Sequence, residues 1–259
     1  AAGCVLTCVS LLGLVLLRVT TTVDDPVGGV FVAALGLVCI QGASSALLAN
    51  VVFALAGSIH PKLTMDAMVG QGVGGVFAAA VGFAASGSER GFCISFAACV
   101  LFGAASIPFY FIKIQGDPHV RARGALPDGS LQRKCSSGKS SSIELLRKGA
   151  YPQCFTVCFV FVATFAVFPG VASKWRGGHG ATQIAVFQLM DVVGRFAPHL
   201  EAFNVRQDGL VTWLALLRGI FVPAFFAVER SRRAFATDLR VQFLLMAPFA
   251  FTNGWVSTL

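Results

Sequence analysis

Two oppositely charged residues lie in the middle of an apolar stretch of the sequence. Asp191 and Arg195 are four residues apart within residues 181–200, a spacing that places both side chains on one helical face, about 6 Å apart along the axis. A charge at the centre of a membrane helix costs roughly 2.5–3.5 kcal/mol, so it persists mainly where pairing or function requires it. The carboxylate accepts hydrogen bonds from hydroxyls, and the guanidinium donates several in a rigid fork. The pair predicts either a polar patch along a solute path or an ion pair that only fixes helix packing.

Other polar and small residues extend this pattern. Gln188 precedes Asp191 by about one helical turn, and Gly194 lets a neighbouring helix or a ligand come close to the pair. Arg218 is a further cation inside an apolar stretch, shortly before Pro223. Arg218 serves either the same cavity or a structural network, and the spacing alone leaves both readings open.

The elements that must position these residues are apolar helices. The chain of 259 residues is 56% hydrophobic and 12% charged, with a mean hydropathy of +0.75, whereas a soluble domain carries about 25% charge. A bilayer core needs about 20 apolar residues per helix, and eight such stretches occur. The sequence predicts an all-α, polytopic membrane protein with about eight transmembrane helices: Ala2–Thr20, Val30–Ala56, Thr64–Ala85, Gly91–Ile112, Tyr151–Val171, Ala181–Leu200, Gly209–Val228 and Val241–Leu259.

The predicted helices fall into two groups of four. Residues 1–112 form the first bundle and residues 151–259 the second, and residues 113–150 form a basic, Ser-rich linker. Because positive charge collects on cytoplasmic loops, we place this linker in the cytoplasm. The net charge of +8 is attributed to such loops beside anionic lipid, and no nucleic-acid partner is expected. Two bundles joined in this way predict a two-half, major-facilitator-like architecture. Both chain ends fall within apolar runs, from which we expect a piece of a longer protein.

Two local motifs predict structure rather than chemistry. The glycine-rich run 70–75 lies inside an apolar stretch with no preceding strand, so a phosphate-binding loop is excluded by context. Gly70 and Gly74 instead have the small-x-x-x-small spacing that allows close helix crossing. The run Phe168-Pro169-Gly170 predicts a break near the end of the fifth helix. Histidines and cysteines are scattered, so no metal or cofactor is expected.

Several strings together resemble the equilibrative nucleoside transporter family. They occur in the order of that family's motifs over nearly the whole chain. The strings are Phe53-Ala54-Leu55-Ala56-Gly57, the Gly-Gln helix Met68 to Ala78, the Phe-Pro helix Phe165 to Pro169, the Asp-x-x-Gly-Arg helix Phe187 to Arg195, the run Arg218 to Pro223, and Phe251-Thr252-Asn253-Gly254-Trp255.

The resemblance implies an eleven-helix fold, related to the major facilitators, of which this chain lacks the first two helices and the last. It assigns Asp191 and Arg195 to the ribose of a nucleoside, and Phe168 and Gln188 to the cavity wall. The predicted substrate-binding set is completed by Asn50, Gln71, Arg218 and Asn253.

One position departs from the pattern of the family. The family often carries Gln in the helix before the Gly-Gln motif, where this chain has Ala49 with Asn50 beside it. The preference for one nucleobase over another therefore does not follow from the resemblance.

The leading hypothesis is a carrier of nucleosides or nucleobases that works by alternating access in the plasma membrane. Transport is either facilitative or linked to protons, and a membrane-embedded carboxylate such as Asp191 is what proton coupling would use. The alternatives are a carrier of another polar solute, such as a sugar, and a membrane receptor or structural protein that transports nothing. An enzyme is not expected, because an intramembrane hydrolase needs a catalytic pair and only one Asp lies mid-membrane.

Overall fold

The computed structural model describes residues 2–20, 27–84, 89–109, 111–112, 151–175, 179–205, 207–231 and 238–259. These residues form helices and connecting turns without a strand, which confirms the predicted all-α class. The α-helices are α1 (Ala2–Thr20), α2 (Val27–Ile59), α3 (Pro61–Ala84), α4 (Glu89–Phe109), α5 (Tyr151–Val167), α6 (Gly180–Phe196), α7 (Asp208–Leu217), α8 (Phe221–Arg230) and α9 (Leu239–Thr258).

A helix occurs at each of the eight predicted positions, but the seventh is broken. The sequence predicts one continuous helix over Gly209–Val228, whereas α7 and α8 are separated by a 3₁₀ turn, Arg218–Ile220. Pro223 explains the break, because it has no N–H to donate and its ring clashes with the carbonyl four residues earlier. The turn places Arg218 where the helix changes geometry.

The fifth and sixth helices also end earlier than predicted. Helix α5 stops at Val167 rather than at Val171, and residues 168–170 form a turn, so the predicted break at Phe168-Pro169-Gly170 is confirmed. A short 3₁₀ helix, Ala172–Lys174, follows. Helix α6 gives way to a 3₁₀ turn, Ala197–His199, which contains Pro198. Proline is the common cause, since it ends regular α-helical hydrogen bonding.

The described helices have the dimensions and the surface of membrane helices. Three stretches are long and apolar enough to cross a bilayer, Gly29–Ile59, Lys62–Ala84 and Gly209–Arg230. Large apolar side chains such as Phe165 and Leu244 are 73% and 76% exposed, an exposure that suits contact with lipid rather than with water. The chain is therefore an integral membrane protein with several membrane helices.

Three sequence predictions stay predictions: the number of spans, the major-facilitator-like arrangement, and the division into 1–112, 113–150 and 151–259. Residues 113–150 lie outside the described residues.

The chain divides into two compact units, Ala1–Ala67 with Ala84–Ser137 and Met68–Phe83 with Gly138–Leu259. In the first unit α1 packs against both α2 and α4. Small residues carry this packing: Ser44 is fully buried and its hydroxyl lies 3.0 Å from that of Thr7, and Gly13 faces Leu37. Small residues and hydroxyl pairs are the usual means of packing between membrane helices.

In the second unit the most extensive contact is between α6 and α9. The two backbones meet at Gly194 of α6 and Gly254 of α9. A Cβ at Gly194 would overlap the carbonyl of Phe251, and a Cβ at Gly254 would overlap the carbonyl of Asp191. Only glycine permits this approach at both positions. The predicted role of Gly194 in close helix approach is therefore confirmed.

An aromatic cluster packs beside this crossing. Phe249 of α9 contacts Phe187 of α6 and Phe225 of α8, with ring centroids 6.1 and 4.9 Å apart. Phe225 also packs against Trp175, whose indole N–H donates to the Phe225 carbonyl at 3.3 Å. The cluster is buried, and it fixes α6, α8 and α9 around one core.

We expect Gly194→Ala and Gly254→Ala each to destabilise the protein by about 1–3 kcal/mol, because the added methyl must push two backbones apart. Thermal unfolding of the detergent-solubilised protein measures the loss. Gly70→Ala and Gly74→Ala are the matched controls, since no other atom of the described residues lies within 4 Å of a Cβ added at either position. Unfolding temperatures lowered equally by all four substitutions would contradict the assignment of the crossing.

Candidate functional site

The predicted Asp/Arg pair forms an ion pair on one face of α6. Arg195 Nε donates to Asp191 Oδ2 at 2.7 Å, and the two side chains are 11% and 4% exposed. Because the residues are one helical turn apart, the helix itself sets their spacing. The pair is enclosed by protein, and the Arg195 guanidinium is its more accessible member.

Helix α9 provides the second partner of the carboxylate. Asn253 Nδ2 donates to Asp191 Oδ1 at 2.6 Å. Asn253 is adjacent to Gly254, so the close crossing of α6 and α9 brings its amide within reach of the acid. Both oxygens of Asp191 thus accept an N–H hydrogen bond.

Arg218 lies on the other side of Asn253. Its Nη2 is 3.1 Å from Asn253 Oδ1 and 3.2 Å from Thr164 Oγ1, and its Nε is 3.2 Å from Thr252 Oγ1. Arg218 Nη1 donates to the Val160 carbonyl at 3.3 Å. The side chain is only 1% exposed. Of the two readings left open by the sequence, the contacts of Arg218 favour a structural network.

The guanidinium of Arg195 also reaches α3. Arg195 Nη1 donates to the Met68 carbonyl at 3.0 Å. Gly72 lies one turn after Met68, and a Cβ there would be 2.9 Å from Arg195 Cδ. The missing side chain at Gly72 therefore leaves room for the arginine to approach the α3 backbone.

The glycines of α3 that face α6 are not the two that the sequence predicts. Gly72 lies against Arg195, and Gly75 lies against the Gln188 amide. Beside Gly70 and Gly74 no atom of the described chain comes within 4 Å of an added Cβ. The rotation of α3 about its axis turns Gly72 and Gly75 toward α6, and the packing role of Gly70 and Gly74 stays a prediction.

The structure brings together only part of the predicted substrate-binding set. Asp191, Arg195, Arg218 and Asn253 belong to one hydrogen-bonded network, which we call the Asp191 network and which also includes Thr164 and Thr252.

The other predicted residues lie apart from the Asp191 network. Gln188 lies about one turn before Asp191 on α6, and Phe168 stacks on Phe187 with centroids 3.9 Å apart. Gln71 and Asn50 are exposed on α3 and α2. The role of all eight residues in binding stays a prediction.

Among the cavities that open on the second unit, two bear on the site. One, of about 320 Å³, is lined by hydroxyl and amide groups that include Thr156, Thr212 and Asn204. The other, of about 290 Å³, is apolar apart from Arg218 and Thr252. Within the described part of the chain, neither cavity is lined by Asp191 or Arg195.

Sequence reasoning missed several polar partners. Thr164 and Thr252 hold Arg218, and Gln183 of α6 donates to Gln242 of α9 at 3.2 Å, with both side chains fully buried. Each of these residues is polar within an apolar stretch, and that was the available signal. Threonine is common in membrane helices, where its hydroxyl bonds to its own helix, so the signal alone is weak.

Apolar helices that enclose a paired carboxylate and guanidinium define a helical integral membrane protein with a buried polar site. Residues 132–259 match the family model described as nucleoside transporter. The match confirms the resemblance seen in the motifs: residues 132–259 are similar to the nucleoside transporter family.

Individual relatives agree with this assignment. The chain is 25% identical over 259 aligned residues to equilibrative nucleoside transporter 1 of Homo sapiens, which covers 83% of this chain and 57% of the human protein. It is 30% identical over 133 residues to nucleoside transporter 1 of Plasmodium berghei, covering 47% of this chain and 32% of that protein. Adenosine transporter 1 of Crithidia fasciculata is 29% identical over 115 residues, and this alignment covers 40% of this chain and 22% of that protein. The matches thus span at most a little over half of these relatives' length.

We expect Asn253→Leu to lower the free energy of unfolding by about 1–3 kcal/mol, because it leaves Asp191 Oδ1 and an Arg218 N–H without their shared partner. Thermal unfolding measures the effect. Asn204→Leu is the control, since Asn204 is an exposed asparagine at the first cavity. An Asn253→Leu variant as stable as the control would show that the central amide does not hold the Asp191 network together.

Proposed function

We propose that this chain is part of a carrier that moves nucleosides across a membrane by alternating access. The observation that carries the proposal is the Asp191–Arg195 pair, held by hydrogen bonds inside a bundle of apolar helices. Such a pair is costly in a membrane unless it has a use. The names of the relatives, nucleoside transporter and adenosine transporter, support the same class of cargo.

The chemistry of the pair suits a ribose. Each carboxylate oxygen has a second lone pair beyond the N–H bond that it already accepts, and Arg195 has N–H groups beyond the two bonded to Asp191 and Met68. A sugar hydroxyl can therefore donate to Asp191 and accept from Arg195 without breaking the ion pair. A nucleobase lacks the vicinal hydroxyls that this arrangement addresses, so we favour nucleosides over free nucleobases.

The remaining predicted residues would act around this centre. The Gln188 amide and the Phe168 ring lie in the second unit, on α6 and just after α5, and would form the wall of the binding cavity. Carriage requires no covalent step, only closure on one side and opening on the other. We place the carrier in the plasma membrane, which microscopy of the tagged protein would check.

We expect Asp191→Asn and Arg195→Lys each to lower uptake of labelled adenosine or uridine at least about tenfold, because a charged hydrogen bond to cargo contributes about 1.5–3 kcal/mol. Uptake is measured in cells that express the full-length protein, normalised to its amount at the surface. Asp66→Asn and Arg230→Lys are matched controls, since they make the same changes at exposed positions.

Uptake that is unchanged in both variants at normal surface abundance would overturn the assignment of the site. Competition by unlabelled sugars but not by nucleosides would point instead to a sugar carrier. Purified protein that moves none of these solutes in vesicles would favour a receptor or structural role.

We expect nucleoside uptake to be the same with and without an imposed proton gradient. Asp191 forms an ion pair with Arg195, and a transported proton carried on the carboxylate would remove the negative charge on which that pair depends. Uptake into vesicles with equal and unequal internal pH tests this. A gradient that drives accumulation would show that transport is proton-linked.

A further inference from the structure

We propose that Arg218 is a positioning residue, which through the Asn253 amide holds the Asp191 carboxylate in place beside Arg195. This proposal rests on the proposed function, because it assumes that Asp191 and Arg195 bind the cargo. It divides the predicted substrate-binding residues of the Asp191 network into two groups. Asp191 and Arg195 face the cargo, whereas Arg218 and Asn253 orient them.

The first step is the orientation of the Asn253 amide. Its oxygen faces Arg218 and its nitrogen faces Asp191. A guanidinium only donates and a carboxylate only accepts, so a flipped amide would set N–H against N–H on one side and oxygen against oxygen on the other. The cation and the anion together allow one orientation of the amide.

The second step is that the hydrogen-bonding groups of Arg218 are already engaged by the protein, although the residue borders the apolar cavity. Its side chain is 1% exposed, and its three nitrogens lie within hydrogen-bond distance of groups on α5 and α9. Its guanidinium carbon also lies 5.0 Å from the centre of the Phe249 ring. Contacts of this kind hold a side chain in one position, because any rotation would break several of them.

The third step is the series of hydrogen bonds that connects Arg218 to Arg195. Arg218 and Thr164 hold the amide oxygen, the amide nitrogen holds Asp191 Oδ1, and Asp191 Oδ2 holds Arg195 Nε. Arg195, at 11% exposure, is the accessible end of this series of bonds. Loss of Arg218 would free the amide to rotate, and the carboxylate would then lose one of its two fixed partners.

A thermal-unfolding cycle tests the series of bonds without any transport. The variants are Arg218→Gln, Asp191→Asn and the double variant, each made in the wild-type and in the Asn253→Ala background. In the wild-type background we expect the melting temperature of the double variant to be about 3 °C higher than the value obtained by adding the losses of the two single variants. The reason is that both changes break the same series of bonds. In the Asn253→Ala background we expect the losses to add.

Uptake kinetics test the positioning role itself. We expect Arg218→Gln to raise the nucleoside KM about tenfold in the wild-type background, and to have no further effect in the Asn253→Ala background. Thr164→Val should raise the KM less. Thr156→Val is its matched control, because both threonines are 5% exposed on α5 and each hydroxyl lies within hydrogen-bond distance of the carbonyl four residues earlier. Thr156 pairs with Thr212 instead of Asn253, so its loss should leave the KM unchanged.

Two results would overturn the proposal. One is additive melting losses for Arg218 and Asp191 in the wild-type background. The other is an Arg218→Gln effect on KM of the same size with and without Asn253, which would mean that Arg218 acts independently of the amide. If the wild-type protein moves no nucleoside, the proposed function fails, and the melting cycle still decides whether Arg218 positions Asp191.

Discussion

The polar site depends on one close approach between two helix backbones. At Gly194 and Gly254 the backbones of α6 and α9 come so near that no Cβ fits on either side. The residue before Gly254 on α9 is Asn253, and the close approach brings its short side chain to Asp191. A wider crossing would leave the acid with Arg195 alone and would separate Arg218 from the pair. Two residues without side chains therefore decide which polar groups meet.

A second constraint is the cost of charge in a surrounding of lipid. No water is available in a bilayer core, so polar groups must be satisfied by the protein itself. Asp191 and Arg195 satisfy each other, whereas Arg218 is held by carbonyls, hydroxyls, an amide oxygen and an aromatic face. These dipoles spread the stabilisation over three helices, α5, α7 with its following turn, and α9. The charge of Arg218 thereby becomes a means of fixing their relative positions.

The sequence predicts features that depend on local spacing and misses those that depend on helix rotation. The i, i+4 ion pair follows from helical geometry alone, and the break at Pro169 follows from the missing donor of proline. The choice of Gly72 and Gly75 over Gly70 and Gly74 does not, because every one of these positions offers the same absence of a side chain. In the structure Gly72 and Gly75 lie against the Arg195 and Gln188 side chains of the partner helix. The same holds for Asn253, whose partner is 62 residues away.

The location of the network within one unit bears on how a carrier of the proposed kind could work. Every partner of Asp191 and Arg195 described above lies in the unit formed by Met68–Phe83 and Gly138–Leu259. A polar group that kept partners in two moving bodies would lose hydrogen bonds each time the path changed sides, at a cost of about 1–3 kcal/mol per buried group. Alternating access is largely a movement of one bundle against another around a fixed site. The bonds that join Asp191, Asn253 and Arg218 lie within the predicted second bundle and would be kept through such a movement. The Arg195–Met68 bond joins α6 to α3, a helix of the predicted first bundle, so it is the bond that the movement would make and break.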